Sequence, residues 1–137
     1  MFTDLNWLAI VTSSFVCLVV GYLWYGPLFG KQWTEGMKVY GNGKTPKKEE
    51  MFKMMGGSFL LTLVMATVIA LMFKAWSISD TAAGLEQIFM MWLGFTATAL
   101  GMNQIYGRKS GLLFAIDTGY QLTMAAIITI VLTLWKW

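Results

Sequence analysis

Four long, mostly apolar runs, uncharged apart from one acid in the last, dominate this chain and alternate with shorter polar segments. They cover residues 5–25, 54–73, 87–106 and 112–134. About twenty consecutive apolar residues form a helix of roughly 30 Å, the thickness of a bilayer core. The pattern predicts one domain, residues 1–137, folded as an all-α integral membrane protein with a four-transmembrane-helix bundle.

The last apolar run, Leu112–Leu134, carries a single ionisable residue, Asp117. Steps of four residues place one polar or small stripe on a helix face, formed by Asp117, Gln121, Ala125, Thr129 and Thr133. A second stripe of small residues, which includes Gly119, lies on nearly the opposite face. A helix with two faces unsuited to lipid is packed on both sides, so we expect it at the centre of a bundle or assembly.

Small residues also recur at four-residue spacing in the other runs. Small side chains allow two membrane helices to approach closely, and packing then replaces the missing hydrophobic drive. The predicted helix-packing positions are Ala9, Ser13, Cys17 and Gly21 in the first run, Ser58, Thr62, Ala66 and Ala70 in the second, Gly101 in the third and Gly119 in the fourth.

Helix boundaries are indicated by capping and breaking residues. Asp4 and Asp80 are candidate N-caps of the first and third helices, and Gly26-Pro27 predicts the end of the first. Leu28, Phe29 and Trp33 then predict a short interfacial helix in the connection to the second span.

The basic residues are distributed unequally between the predicted sides of the membrane. The first and third connections hold Lys31, Lys38, Lys44, Lys47, Lys48, Lys53, Arg108 and Lys109, whereas the opposite side holds only Lys74 and Lys136. Positive residues accumulate on the cytoplasmic side. We therefore expect an inner-membrane, multi-pass protein with both termini outside and a basic cytoplasmic loop between the first two helices. Recruitment of anionic lipid is a second interpretation of the lysines.

The amino-acid composition excludes several kinds of metal, redox and catalytic site. The chain is 57% hydrophobic and 12% charged, and it has no histidine and one cysteine, Cys17. This excludes disulfides, histidine-ligated haem and the usual zinc sites, so we expect no metal, no cofactor and no enzyme activity. The net charge of +3 accompanies no nucleic-acid-binding motif, and membrane topology accounts for it.

A carboxyl group inside a membrane helix usually lines an ion path, belongs to a proton relay or pairs with another buried group. Asn103 precedes the tight basic turn by about the distance at which Asp117 follows it, so the two reach a similar depth. The candidate ion or proton site, or polar core, consists of Asp117, Gln121, Asn103 and Tyr120. The same carboxyl group, bonded to Asn103 or to a tyrosine, is also consistent with helix-packing glue.

Three sequence blocks carry a resemblance. Asn6-Trp7-Leu8-Ala9 opens the first run, and Gly21-Tyr22-Leu23-Trp24-Tyr25-Gly26-Pro27-Leu28-Phe29-Gly30-Lys31, followed by Trp33, closes it. Asp117-Thr118-Gly119-Tyr120 lies in the last run. Together they resemble the bacterial membrane family catalogued as domain of unknown function 1761. The family's usual Trp-Tyr-Ser-Pro is Trp-Tyr-Gly-Pro here, so no role of that serine transfers. The resemblance implies four membrane helices and no established activity.

Three functional hypotheses follow. The first is a small proton or ion channel or transporter-like protein, acting as a homo-oligomer because the fourth helix has two stripes to cover. The second is an accessory or scaffolding subunit of a larger membrane complex, with the polar residues serving as helix-packing glue. The third is a binder of membrane lipid or another apolar ligand between helices. None of them involves nucleic acid.

Overall fold

The computed structural model describes residues 4–38, 48–107 and 110–135. Within those ranges the backbone forms helices and turns and contains no β-strand, which confirms the all-α prediction. The elements in order are α1 (Trp7–Leu23), the π-helical segment π1 (Trp24–Leu28), α2 (Gly30–Lys38), α3 (Lys48–Ala75), α4 (Thr81–Met91), the π-helical segment π2 (Trp92–Ala97), α5 (Thr98–Tyr106) and α6 (Gly111–Leu134).

Three helical stretches are long and apolar enough to cross a membrane. They are Trp7–Leu28, Lys48–Ala75 and Gly111–Leu134, which indicates a membrane protein. The predicted third span corresponds to α4, π2 and α5, which follow one another without a gap. Segment π2 divides this run into two α-helices of 11 and 9 residues. Each is shorter than the roughly twenty residues that one α-helix needs to span a bilayer.

Helix α6 packs against every other α-helix and against π2. It contacts π1 through the side chains of Trp24 and Tyr25. Its buried residues lie on more than one face: Leu113, Ile116, Tyr120, Met124 and Ile128 follow one face, and Thr118, Thr129 and Thr133 follow another. Helix α1 packs on α3 and α6, whereas α4 packs mainly on α6. The helix that the sequence predicts to be packed on both sides is thus the centre of the fold.

Contacts between distant residues bring one set of helix ends together. Asp4 forms an ion pair with Lys74 at 2.8 Å, and the Asn6 amide donates to the Trp135 carbonyl at 3.2 Å. The start of α1 therefore lies beside the ends of α3 and α6. Lys74 holds the pKa of the Asp4 carboxyl below its usual range. Both side chains are exposed, so this pair contributes little to stability.

Two boundary predictions are wrong and one is confirmed. Asn6, not Asp4, caps α1, because its Oδ1 accepts from the Ala9 N–H at 3.0 Å. Pro27 does not end the helical backbone either, since it lies inside π1, and the break comes at Phe29 with φ −125°. The wider π-helical turn accommodates the proline, which lacks a backbone N–H. Asp80 caps α4 as predicted, accepting from the Ala83 N–H at 3.1 Å.

The predicted interfacial element corresponds to α2, which follows π1 directly. Several of the basic residues that orient the predicted topology, namely Lys44, Lys47, Arg108, Lys109 and Lys136, lie outside the described residues.

The capping assignment predicts a difference between two neighbouring substitutions. Asn6→Ala removes the cap of α1 and the bond to Trp135, so it should lower the free energy of unfolding by about 1 kcal/mol. Asp4→Ala removes only the exposed ion pair and should have a smaller effect. Chemical unfolding in detergent micelles, followed by circular dichroism, measures both. A larger loss for Asp4→Ala would contradict the assignment.

Candidate functional site

A little more than one turn of the central helix, residues 116–120, receives side chains from both π-helical segments. We call it the α6 turn. Trp24 of π1 donates its indole N–H to the Ile116 carbonyl at 3.0 Å. Trp92 of π2 donates its own to the Thr118 carbonyl at 2.9 Å. Two departures from regular α-helix therefore converge on the same short stretch of α6, and such departures are frequent at functional sites.

The carboxyl group of Asp117 lies within this turn. Its Oδ1 accepts a hydrogen bond from the Tyr25 hydroxyl at 2.7 Å, and the Asp117 side chain is half-buried. A hydroxyl-to-carboxylate bond is stronger than one between neutral groups. The Tyr25 ring meets Trp33 of α2 edge-on, with ring centroids 5.5 Å apart. The carboxyl group is thus connected through Tyr25 to α2.

Tyr120 forms a second connection between α6 and α1. Its hydroxyl donates to the Cys17 carbonyl at 3.1 Å in a buried position, and its ring meets Tyr25 edge-on at 5.2 Å. A Cβ atom at Gly21 would come within 2.5 Å of the Tyr120 hydroxyl, and one at Gly119 within 3.3 Å of the Trp24 ring. The small residues of the last two sequence blocks leave the space that these aromatic rings occupy.

The four predicted site residues are not one cluster. Asp117 and Tyr120 share the α6 turn, while Gln121 lies in a groove between α3 and π2. Asn103 is exposed on α5, and among the described residues it makes no hydrogen bond to Asp117. Because Asn103 and Asp117 are about equally far from the turn in sequence, a similar depth could be predicted for them. The direction in which the Asn103 side chain faces depends on the rotation of α5, which that spacing does not determine.

Tyr25 is the site residue that the sequence reasoning missed. Its position at the end of an apolar run favoured a role at the membrane interface, the usual place for tyrosine. The sequence feature that could have identified Tyr25 is the block around it, in which Trp24 and Tyr25 directly precede Gly26-Pro27. Tyr22, in the same block, is 66% exposed.

The predicted packing residues are distributed unequally. Ala9, Ser13, Cys17 and Ala66 have no exposed surface, and Thr62 and Ala70 are buried. Gly101 lies 3.5 Å, measured from an ideal Cβ, from the Phe114 ring, whereas Ser58 is exposed. The Cys17 thiol is directed to the Met124 carbonyl at 3.7 Å.

Beyond Asp117, the polar or small stripe on α6 lines two cavities. A groove of about 350 Å³ between α3, α4 and π2 includes Gln121 and Ala125. A cavity of about 530 Å³ at the end of the bundle near Asp4 and Lys74 includes Thr133.

The two cavities are separated by a packed layer. Thr129, between them on α6, has no exposed surface. Its methyl carbon would lie 2.8 Å from a Cβ at Gly84, and the Phe73 ring is 3.3 Å from the same position. Phe73 itself lines the cavity near Asp4.

The described residues contain no group of three or more histidine, cysteine, aspartate or glutamate side chains placed to hold a metal ion. The polar groups of the α6 turn are one carboxyl group, phenol and indole donors, and backbone carbonyls. This arrangement can hold a proton or a small cation at Asp117.

Comparison with known proteins identifies a family without a described activity. No curated protein and no solved structure matches the chain. The two blocks that meet at the α6 turn, residues 21–33 and 117–120, both lie within the region matched by a family model. That model, described as protein of unknown function (DUF1761), matches residues 8–133, and the chain belongs to this family.

Proposed function

We propose that this protein is a small proton- or ion-transporting membrane protein in which Asp117 binds the transported proton or cation. The observation that carries the proposal is the Tyr25–Asp117 hydrogen bond, 2.7 Å long, on the central helix. Asp117 is the only charged residue of α6. Ionisable residues inside membrane helices are costly and mark ion pathways and proton relays.

The surroundings of Asp117 support a site that changes state. Tyr25 belongs to π1, where the hydrogen-bond ladder departs from regular α-helix around Gly26 and Pro27. A proton or cation bound at Asp117 would neutralise the carboxylate that accepts from the Tyr25 hydroxyl. Its arrival would weaken the bond that joins π1 to α6, and its release would restore that bond. A local charge change would thereby bias the position of a helix end.

The stripe along α6 supports a route from the site toward the other end of the bundle. Asp117 is followed by Gln121 and Ala125 in the groove, then by buried Thr129, and then by Thr133 in the cavity near Asp4. Thr129 and Thr133 donate their hydroxyls to α6 carbonyls, each at 2.8 Å. The layer at Thr129 closes the route in this state, so transport requires that layer to open.

The proposal includes the topology and assembly. We place four crossings in the inner membrane, with the first and third connections cytoplasmic, both termini outside and more than one copy in the assembly. The contacts of Asp4 with Lys74 and of Asn6 with Trp135 support an even number of crossings. Exposed Gly56 and Gly57 on α3, with open space around both, support close approach of a second copy.

Reconstituted vesicles test the transport function. Wild-type protein in liposomes that contain a pH-sensitive dye, under an imposed potassium diffusion potential, should pass protons faster than empty liposomes. Asp117→Asn should reduce the flux to the level of empty vesicles. Tyr25→Phe should reduce it roughly fivefold, because a hydrogen bond of about 1 kcal/mol that positions the carboxyl group is lost.

Glu86→Gln is the matched control, since it neutralises an exposed carboxyl group on α4 and should leave the flux unchanged. Sodium and potassium gradients distinguish a cation from a proton. The transport function would be refuted if wild type, Asp117→Asn and empty vesicles all showed the same proton flux and the same cation flux.

Cysteine labelling tests the topology. The only natural cysteine is buried, so Cys17→Ser gives a background for single exposed cysteines. In intact cells, a membrane-impermeant maleimide should label Ser79→Cys, between α3 and α4, but label Lys31→Cys, on α2, only after the membrane is opened. The reverse pattern would invert the orientation, and labelling of both in intact cells would exclude four crossings.

An accessory or scaffolding role is supported by a different observation. The bonds from Trp24, Trp92 and Tyr120 to backbone carbonyls hold helices together without any transported species. In that case the protein should be recovered with a larger membrane complex when purified at native expression level, and the vesicles should show no flux. Recovery as an oligomer of this chain alone would exclude it.

A further inference from the structure

An apolar groove opens on the side of the bundle, between α3 and π2, with α6 as its floor. Its volume is about 350 Å³, within the range of small-molecule pockets, roughly 300–1,000 Å³. No charged residue lines it. Three of its residues, Met65, Met72 and Met91, have flexible and polarizable side chains that adapt to the shape of an apolar ligand.

Two polar side chains in this groove have no hydrogen-bond partner among the described residues. They are Gln121, on the floor, and Thr96, in π2. Neighbouring threonines, such as Thr98 and Thr129, donate to the carbonyl one turn back at 2.8 Å. Thr96, in π2, makes no such bond within the described part of the chain.

In a bilayer these two groups need a partner that lipid chains cannot supply. An amide or hydroxyl without a hydrogen bond in hydrocarbon costs several kcal/mol. The groove also opens to the outside of the bundle, since Val68 and Phe95 on its lining are 46% and 72% exposed. A molecule dissolved in the membrane can therefore enter it without crossing water.

We infer that this groove binds a neutral, mostly apolar small molecule that carries a hydrogen-bonding oxygen and enters from the bilayer. The uncharged lining disfavours a charged ligand that stays in the groove, because its charge would be desolvated without a counter-charge. The Gln121 amide and the Thr96 hydroxyl donate to the ligand oxygen, and the methionines and aromatic rings enclose its apolar body. The site uses neither Asp117 nor Tyr25, although it shares Gln121 and Ala125 with the proposed transport route.

Photolabelling with benzophenone tests this site. This neutral ketone inserts into nearby C–H bonds on irradiation, and mass spectrometry locates the label. In reconstituted wild-type protein we expect saturable labelling of Met72 or Met91. Excess dicyclohexyl ketone should compete with the label, whereas dicyclohexylmethane, which lacks only the oxygen, should compete at least roughly fivefold less well.

Paired variants separate the groove from the general lipid-facing surface. Gln121→Leu should weaken the apparent affinity about tenfold, whereas Asn103→Leu, which removes an exposed amide on α5, should not change it. Val68→Trp, at the opening, should abolish the labelling. Leu61→Trp, a 73% exposed position on the same helix outside the groove, should preserve it.

Labelling that does not saturate, that spreads over the outer faces of the helices, or that is absent would overturn the inference. Equal competition by the ketone and the hydrocarbon, or unchanged labelling in Gln121→Leu, would show that the groove holds ordinary acyl chains. Asp117→Asn should leave the labelling intact. Loss of flux with labelling retained therefore separates the two sites.

Discussion

Gly84→Leu should destabilise the protein by about 2–3 kcal/mol, because this glycine lies where α4 approaches α6 most tightly. An ideal Cβ at Gly84 would be 2.8 Å from the Thr129 methyl carbon and 3.3 Å from the Phe73 ring. Thr129 has no exposed surface, and its hydroxyl bonds to the Ala125 carbonyl. It cannot rotate away without losing that bond, so the added side chain must separate the helices.

The matched control is Gly94→Leu, in π2. A Cβ there would meet no heavy atom within 4 Å, and the residue is exposed. We expect a change within about 0.5 kcal/mol. Unfolding in mixed dodecyl maltoside and sodium dodecyl sulfate micelles, followed by circular dichroism, gives both values. Equal losses for the two variants would mean that α4 does not lie against α6 as described.

Trp24→Leu should cost about 2–3 kcal/mol and should also lower the flux attributed to Asp117. The substitution removes the indole donor to the Ile116 carbonyl and the ring contacts with Phe29 and Tyr120, whose centroids lie 4.9 and 6.1 Å away. Because Tyr25 is the next residue, a displaced π1 would also move the hydroxyl that bonds to Asp117.

Trp76→Leu is the control for this prediction. Trp76 follows α3, is 52% exposed, and is not among the ring contacts described here. Its replacement should change the stability much less than replacement of Trp24. The same micelle titration measures the stability, and the vesicle assay measures the flux. A stable Trp24→Leu protein with wild-type flux would show that π1 does not hold the carboxyl group in place.

Trp24→Leu probes a wider property of this fold, which is the use of side-chain hydrogen-bond donors to backbone carbonyls of the central helix. In water such bonds compete with solvent and contribute about 1 kcal/mol each. Between membrane helices few other groups compete for such a bond, although the measured contribution of an interhelical hydrogen bond differs only modestly from that in water. The two indole bonds, from Trp24 and Trp92, approach α6 from different elements, and the Tyr120 bond points from α6 to α1. Together they specify how α6 is rotated.

Much of the helical architecture could be predicted because single segments determine it. The last apolar run predicts a helix over residues 112–134, and the structure has one over Gly111–Leu134. The cap at Asp80 follows from a side-chain oxygen that lies three residues before a free N–H. The cap at Asn6 was missed because Asp4 and Asn6 both suit that position, and Lys74, remote in sequence, engages Asp4.

The candidate site was only partly predictable. An acid within an apolar run is visible in the sequence, and so is Tyr120, one turn further along the same helix. The partner of Asp117 is not visible, because Tyr25 and Asp117 are 92 residues apart and their meeting depends on how α1 and α6 are rotated and offset. Asn103 illustrates the same limit, since it was predicted at a similar depth but lies on an exposed face.

The sequence by itself determined the uncharged runs, their helical form and the position of one acid among them. Backbone groups in hydrocarbon must find their partners within the segment, so a long apolar run has few other structures available. The tertiary structure decided that Tyr25 bonds to Asp117, that two π-helical segments meet the same turn of α6, and that Gln121 lies in an open groove. Those features depend on helix rotation and on contacts between distant residues, which hydropathy does not encode.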